Sequence, residues 1–287
     1  MKLRGRGAII TGASLGLGRA IADAYVREGA DLLLMARSDG PLRAAARELI
    51  DHRPLSIQRV EMIAGDVARE ADVERLAAMA RRVLPHADIV VNNAGVYGPI
   101  GRLEDVDLTA WSEAFAINVF GTAAVCRAFI PLLRARGYGK IINLSGGGAT
   151  KPLPRLSAYA ASKTAVVRLT ETLAHELAGT RIDINAIAPA NLNTRLLDEV
   201  LSAGPERAGE EFHARSVEQK RDGGVPLHRG ADLAVFLASP ASDGITGRLI
   251  AAVWDDWATL PARSDDLAKS DVYTLRRILP SERGLSW

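Results

Sequence analysis

The stretch Ala8–Ala30, AIITGASLGLGRAIADAYVREGA, decides the fold. A short β-branched run is followed by Gly12, Gly16 and Gly18 and then by helical spacing of apolar residues over Leu17–Glu28. Glycine removes the Cβ that would hold a backbone away from a pyrophosphate. The helix that follows offers unpaired N–H groups and the positive end of its dipole. The loop therefore predicts a bound dinucleotide, with Ser14, Leu15 and Leu17 lining it between the glycines. Its spacing is G-x-x-x-G-x-G rather than the commoner G-x-G-x-x-G. Three turn glycines without a ligand is the alternative reading.

Working outward, aliphatic runs alternate with helical stretches: DLLLMAR, SIQRVEMI, ADIVVNN, GKIINLS, RIDINAIAP and GRLIAAV follow the first strand. Helices are expected at Leu17–Glu28, Pro41–Asp51, Asp72–Leu84, Thr109–Arg136, Ala158–Ala178 and Ala231–Ala238. Alternation of this kind predicts an α/β chain wound into a doubly wound, Rossmann-type parallel sheet of about seven strands, with ligands at the strands' C-terminal ends. A length of 287 residues with 48% hydrophobic content suits a single domain. The 36 basic and 34 acidic residues are interspersed, which argues against nucleic acid as a partner. Cys126 is the only cysteine, and it sits between small apolar residues. It reads as a buried thiol in a reducing cytoplasm. The basic start MKLRGRG precedes too short an apolar run for a signal peptide, and no apolar stretch of about 18 residues free of charges and helix breakers is evident. A soluble, cytoplasmic protein without a membrane partner is expected, and nothing calls for a metal.

TGASLGLGRA, the GDV at Gly65–Val67, NNAG at Asn92–Gly95, Asn118 in INVFG, and YAASK at Tyr159–Lys163 together resemble the short-chain dehydrogenase/reductase family over about Gly5–Val253. The resemblance implies that Asp66 and Val67 meet the adenine ring, and that Asn93, Ala94 and Gly95 stabilise the sheet beside the cofactor. Asp66 read without the family would be an N-cap for the next helix. The resemblance also implies that Pro189 and Thr194 bound a loop against the nicotinamide, although Ala190 stands where relatives carry glycine. It further implies a homodimer or homotetramer through the two long central helices, acting on a small carbonyl or alcohol substrate.

The end of the second strand speaks to the cofactor. A carboxylate there would hold the ribose 2′-OH of NAD, whereas NADP needs a cation. Ala36 occupies that place and Arg37 follows, so NADP(H) is favoured over NAD(H). Leu15, where many NADP users carry a second cation, and the nearby Asp39 argue the other way.

Reducing a carbonyl requires a proton donor. A phenol of pKa about 10 serves near neutral pH only if its anion is stabilised. Tyr159 and Lys163, four apart on a helix, share a face, so the ammonium together with an oxidised nicotinamide ring is expected to lower the phenol. By resemblance Lys163 also holds the nicotinamide ribose, and Asn118 anchors a proton-relay water. The family's serine stands thirteen residues before the tyrosine, but here that position is Gly146, with Ser145 one place earlier and Gly147 and Gly148 following. A one-residue offset faces Ser145 the other way. Three alternatives stay open: the glycines let the strand bulge so that Ser145 reaches in, backbone N–H groups of Gly146–Gly148 or a substrate hydroxyl substitute, or reduction has been lost.

Leu196–Arg229 falls where the family carries a mobile lid, with Gly204, Gly209, Gly223 and Gly224 as hinges and no dominant apolar stripe. Residues 1–253 are thus one dinucleotide-binding domain including the lid. Residues 254–287 form an extension that packs on the same domain or on a neighbouring subunit. The function expected is interconversion of a ketone and a secondary alcohol, most readily NADPH-dependent reduction. A noncatalytic dinucleotide-binding sensor of the same fold is the alternative.

Overall fold

The computed structural model describes residues 1–287. Strands β1 (Gly7–Thr11), β2 (Asp31–Ala36), β3 (Val60–Ala64), β4 (Ala87–Asn92), β5 (Gly139–Leu144), β6 (Ile182–Ala188) and β7 (Leu249–Ala251) form one parallel sheet in the order β3-β2-β1-β4-β5-β6-β7. Helices α1 (Gly16–Arg27), α2 (Asp39–His52) and α3 (Glu70–Val83) connect the first four strands. The order reverses between β1 and β4, and a crevice opens there at the strands' C-terminal ends.

The strands are buried on both faces, and alternate residues divide between two apolar layers. Ile10, Leu34 and Ile142 join α1, α2 and α9 (Leu227–Ala238), while Ile9, Leu33 and Ile141 face α3 and α5 (Gly121–Arg136). The near-continuous aliphatic strands of the sequence follow from this two-sided burial.

The helix expected at Thr109–Arg136 is three pieces in line: α4 (Leu108–Phe115), a π turn at Ala116–Phe120, and α5. Asp107 caps the first, accepting from the N–H groups of Thr109 and Ala110. This 29-residue rod is long and apolar enough to span a membrane by length and composition, although Glu113, Gly121 and Arg127 interrupt it, as the sequence reading expects of every such stretch. It packs on β4, β5, α3 and α6 (Ser157–Glu176), as a core helix of a parallel sheet does, and leaves Leu108 and Phe120 exposed.

Helices α7 (Arg195–Ala208) and α8 (Glu210–Asp222) make up the stretch predicted as a lid. Gly204 breaks the helical path of α7 with φ 72°, Gly209 joins the two helices with φ 87°, and Gly223 and Gly224 follow α8 at φ 89° and 61°, so all four glycines named as hinges sit at bends that glycine permits.

After β7 the chain turns back over its own domain through α10 (Ser264–Ala268). Arg248 donates to the carbonyls of Leu267, Ser270 (3.0 Å) and Val272 (2.7 Å). Tyr273 O accepts from Leu249 N (2.8 Å), and Asp255 Oδ2 accepts from Ala251 N (2.6 Å), capping the outward edge of β7. Glu171 on α6 accepts from Leu275 N (2.6 Å). These bonds hold the segment against β7 and α6.

Candidate active site

The phosphate loop is held from beneath by Asn93. Its Nδ2 donates to the carbonyls of Thr11 (3.0 Å) and Gly12 (3.1 Å), while Thr11 Oγ1 accepts from the N–H groups of Asn93 and Ala94. A Cβ on Gly18 would overlap this amide and Gly12 O, and one on Gly12 would stand 2.8 Å from Asn93 Nδ2. Gly18 thus sits behind the groove, as a packing requirement. Gly16, at φ 57°, faces Thr194 across it. The N–H groups of Ser14 to Gly18 make no hydrogen bond within the protein, and Leu15 at the N-cap contributes no side-chain cap. Five unpaired donors at a helix N-terminus suit the anionic pyrophosphate of a dinucleotide. The groove is lined by Ser14, Leu15, Gly16 and Leu17 at one wall, Asp66, Val67, Ala94 and Gly95 at another, and Pro189 and Thr194 at the far side.

Arg37 lies at the adenosine end of the groove, exposed and without an ion-pair partner. Asp39, which argued against a phosphate there, is engaged by Arg43 at 2.5 Å. Arg195, the first residue of α7, lines the same groove and is a second cation that sequence reasoning missed. Its signal was available as the basic residue directly after Thr194. Asp66 is not the cap of α3. Arg69 holds that position, and the Asp66 carboxylate instead accepts from Ala68 N (3.0 Å) while facing the groove.

At the other end Tyr159 and Lys163 project from the first turns of α6. Lys163 Nζ donates to Leu144 O (2.8 Å) and lies 5.7 Å from the centre of the Tyr159 ring. Asn118 sits in the π turn with Oδ1 accepting from Val96 N and Nδ2 donating to Val96 O and to Ser162 Oγ, all at 2.9 Å. A π turn inside an α-helix commonly marks a functional site. Gly95 lets Asn118 and Lys163 approach: an added Cβ would stand 3.2 Å from Asn118 Oδ1 and 3.3 Å from Lys163 Nζ. Asn118 itself is buried behind the groove wall rather than lining it.

The protein's own groups act on the phenol apart from the nicotinamide charge that the expectation includes. Burial, and secondarily the neighbouring phenol of Tyr97, pushes Tyr159 above the ordinary tyrosine range rather than below it. Burial lowers the Lys163 ammonium to about 8. In the protein alone the low dielectric outweighs the lysine's pull on the phenol, because Lys163 is spent on the Leu144 carbonyl.

Gly146 has the orientation that the family's serine would need: a Cβ built on it runs into the Tyr159 hydroxyl. Ser145 lines the groove beside Leu144 and Tyr159. Its N–H joins Ile187 O, and its Oγ is buried with no partner and no contact with solvent. The strand does not bulge to bring it in. Ala190 stands at φ 74°, in the left-handed region, which is the physical reason a glycine was expected there.

The lid is closed on the tyrosine. Val200 and Ala208 of α7 pack with Ile100, Leu156 and Tyr159 in one apolar cluster. An apolar side of α7 thus exists where the sequence pattern showed no dominant stripe. Cys126, under the sheet, bonds Asn92 at 3.3 Å, and burial pushes its thiol up to about 12, far from any reactive range.

The short chain dehydrogenase family model matches residues 6–203. The chain is 32% identical over 285 residues to the short chain dehydrogenase mpl6 of Monascus purpureus, covering 97% of this chain and 90% of that protein. It is 34% identical over 239 residues to the L-fucose dehydrogenase of Oryctolagus cuniculus, covering 83% and 80%. The crystal structure of L-sorbose reductase from Gluconobacter frateurii, complexed with NADPH and L-sorbose, superposes with a TM-score of 0.77 at 29% identity, covering 88% of this chain and 97% of that one. With its seven-stranded parallel sheet, its glycine loop, and Tyr159 and Lys163 in one groove with Asn118 behind its wall, the chain belongs to the short-chain dehydrogenase/reductase family of oxidoreductases.

Proposed function

We propose that the protein interconverts a ketone and a secondary alcohol with NADP(H), most readily as a reductase. The observation that carries this reading is the placement of Tyr159 and Lys163 at one end of a groove whose other end holds five unpaired N–H groups and an unpaired Arg37. The groove suits a dinucleotide on its own geometry, because glycines clear the floor and Arg37 is free to face a phosphate, with Arg195, paired to Glu199 at 3.3 Å, lining the same groove. When bound, the nicotinamide supplies or accepts the hydride. Tyr159 then gives its proton to the carbonyl oxygen or takes it from the alcohol. Lys163, anchored on the Leu144 carbonyl, would hold the ribose side and return a proton to the Tyr159 phenolate, regaining it from solvent in the groove. The buried position of the phenol keeps it protonated in the free protein, which suits a donor more than a base.

Val200 and its neighbours pack on the Tyr159 ring while the hydroxyl still faces the groove, and bending of α7 at Gly204 and Gly209 would widen access for a substrate. The exposed apolar flank of α4 and α5, with Phe120 at its centre, supports a homodimer or homotetramer through these helices and α6. The buried, unreactive Cys126 is in keeping with a cytoplasmic setting. The second reading, a noncatalytic dinucleotide sensor, draws on Gly146, which removes the family's side-chain donor. Screening the purified chain with NADPH against a panel of ketones separates the two. The oxidoreductase reading expects NADPH oxidation that Tyr159→Phe abolishes without weakening NADPH binding. Tight NADPH binding with no turnover on any ketone leaves the sensor.

A further inference from the structure

The reacting end of the groove has one phenol in a catalytic role and a second phenol beside it with none assigned. Tyr97 follows the NNAG turn, and its ring meets that of Tyr159 edge to face, 4.6 Å between centroids and 89° between planes. Neither hydroxyl has a hydrogen-bond partner within the protein, yet neither is sealed from solvent, unlike Ser145 Oγ. Two unpaired phenols next to each other under a closed lid are an unusual arrangement, because a half-buried tyrosine hydroxyl ordinarily finds a partner.

The neighbouring groups decide what these hydroxyls can meet. No side chain can reach the Tyr159 oxygen from position 146, since even a Cβ there would overlap it. Ser145 would have to leave the strand register fixed by its bond to Ile187 O. Val200, Ile100 and Leu156 close the remaining sides with carbon alone. Tyr97 packs against that cluster and brings a second phenol against the Tyr159 ring.

We propose that Tyr97 is the second donor of the site, its hydroxyl bonding the substrate oxygen alongside Tyr159 and so performing the task for which position 146 has no side chain. The proposal rests on the oxidoreductase reading. Burial, with the lid carboxylate of Glu199 nearby, raises Tyr97 to about 12, so its hydroxyl carries its proton throughout the neutral range. It donates a hydrogen bond and transfers nothing, leaving the proton stoichiometry to Tyr159.

The experiment uses the full chain with NADPH and the best ketone of the panel, in wild type, Tyr97→Phe, Ser145→Ala and Tyr159→Phe. Phenylalanine keeps the edge-to-face ring and removes only the hydroxyl. Tyr97→Phe is expected to lower kcat about 100-fold, the usual effect of one oxyanion donor, with the NADPH dissociation constant by fluorescence titration unchanged. Ser145→Ala is expected to stay within about twofold. In parallel, calorimetric binding of the same ketone to the NADP+-loaded protein, which cannot transfer hydride, should weaken about tenfold in Tyr97→Phe, as the loss of one hydrogen bond predicts. Unchanged kcat and unchanged ketone binding in Tyr97→Phe, with Tyr159→Phe inactive, overturns the role of Tyr97 and leaves the oxidoreductase reading standing. Activity that survives Tyr159→Phe, or a wild type inert on every ketone, removes both.

Discussion

The hydroxyl oxygen of Tyr159 fills the space that the first side-chain atom of any residue larger than glycine at position 146 would require. Position 146 and the phenol are therefore coupled by volume, and the site has been rebuilt around the absence of a serine rather than simply losing one. Gly146→Ser should fail to create a better enzyme. Overpacking of a fitted site costs about 1–3 kcal/mol, so the variant should melt earlier in denaturant and turn over ketone more slowly than wild type. A gain in turnover would show that the phenol moves aside freely and that the coupling is loose.

Lys163 imposes a pH dependence on stability. Below pH 8 its ammonium is present in both the folded and the unfolded chain, and burial of the charge weighs against folding. As pH rises from about 8 towards the ordinary lysine value near 10.5, the folded chain has released a proton that the unfolded chain still holds, so stability rises. Comparing denaturant unfolding at pH 7 and pH 10, wild type should gain about 2.5 kcal/mol relative to Lys163→Met. Parallel pH profiles for the two proteins would mean that the ammonium is better solvated than its burial implies.

Cofactor choice should reside in Arg37. Loss of a charge-assisted bond to phosphate costs about 1.5–3 kcal/mol, so Arg37→Ala should raise the KM for NADPH by about 10- to 100-fold and leave that for NADH within about twofold. Arg195→Ala should weaken both nucleotides or NADPH alone, according to which phosphate it faces. Steady-state kinetics with each nucleotide reads both outcomes, and an unchanged NADPH preference in Arg37→Ala removes that residue from the site.

Ala190 holds a left-handed backbone at a cost of about 1–2 kcal/mol. Glycine removes that strain but adds freedom to the unfolded chain worth about 0.5–1 kcal/mol. Ala190→Gly should therefore stabilise the protein by up to about 1 kcal/mol, visible as a rise in Tm, while loosening the loop that ends at Thr194.

The parallel sheet and its order were legible because two-sided burial writes itself as unbroken aliphatic strands between helical stretches. The phosphate loop was legible because glycines are demanded by Asn93 and by close backbone approach. The direction of the Tyr159 shift was not, since it depends on how completely the lid encloses the ring and on the Leu144 carbonyl capturing Lys163. Sequence spacing records which residues share a helix face but not the dielectric around them. Tyr97 escaped for a related reason: one tyrosine after a turn has no period, and its relation to Tyr159 exists only once β4 and α6 are brought together. The π turn at Asn118 was likewise hidden, because it adds one residue to a helix without changing its composition.

Arg248 is the clasp of the C-terminal segment. Its guanidinium is nearly buried, and removing it strands carbonyl groups at Leu267, Ser270 and Val272. Arg248→Ala should cost about 1–3 kcal/mol and release the segment, detected as faster hydrogen exchange at the Leu249 amide. Exchange as slow as in wild type would show that Tyr273 and Leu275 hold the segment unaided.

The two amides of β7 that point out of the sheet are already answered, one by the Tyr273 carbonyl and one by the Asp255 carboxylate. An unanswered row of such amides is a template on which another chain can lay a strand, and repetition of that event gives ribbons without end. Here the polypeptide has hemmed its own border with its last residues. Association between copies is thereby steered away from open-ended growth and towards faces that match in pairs and then stop, such as the apolar flank around Phe120.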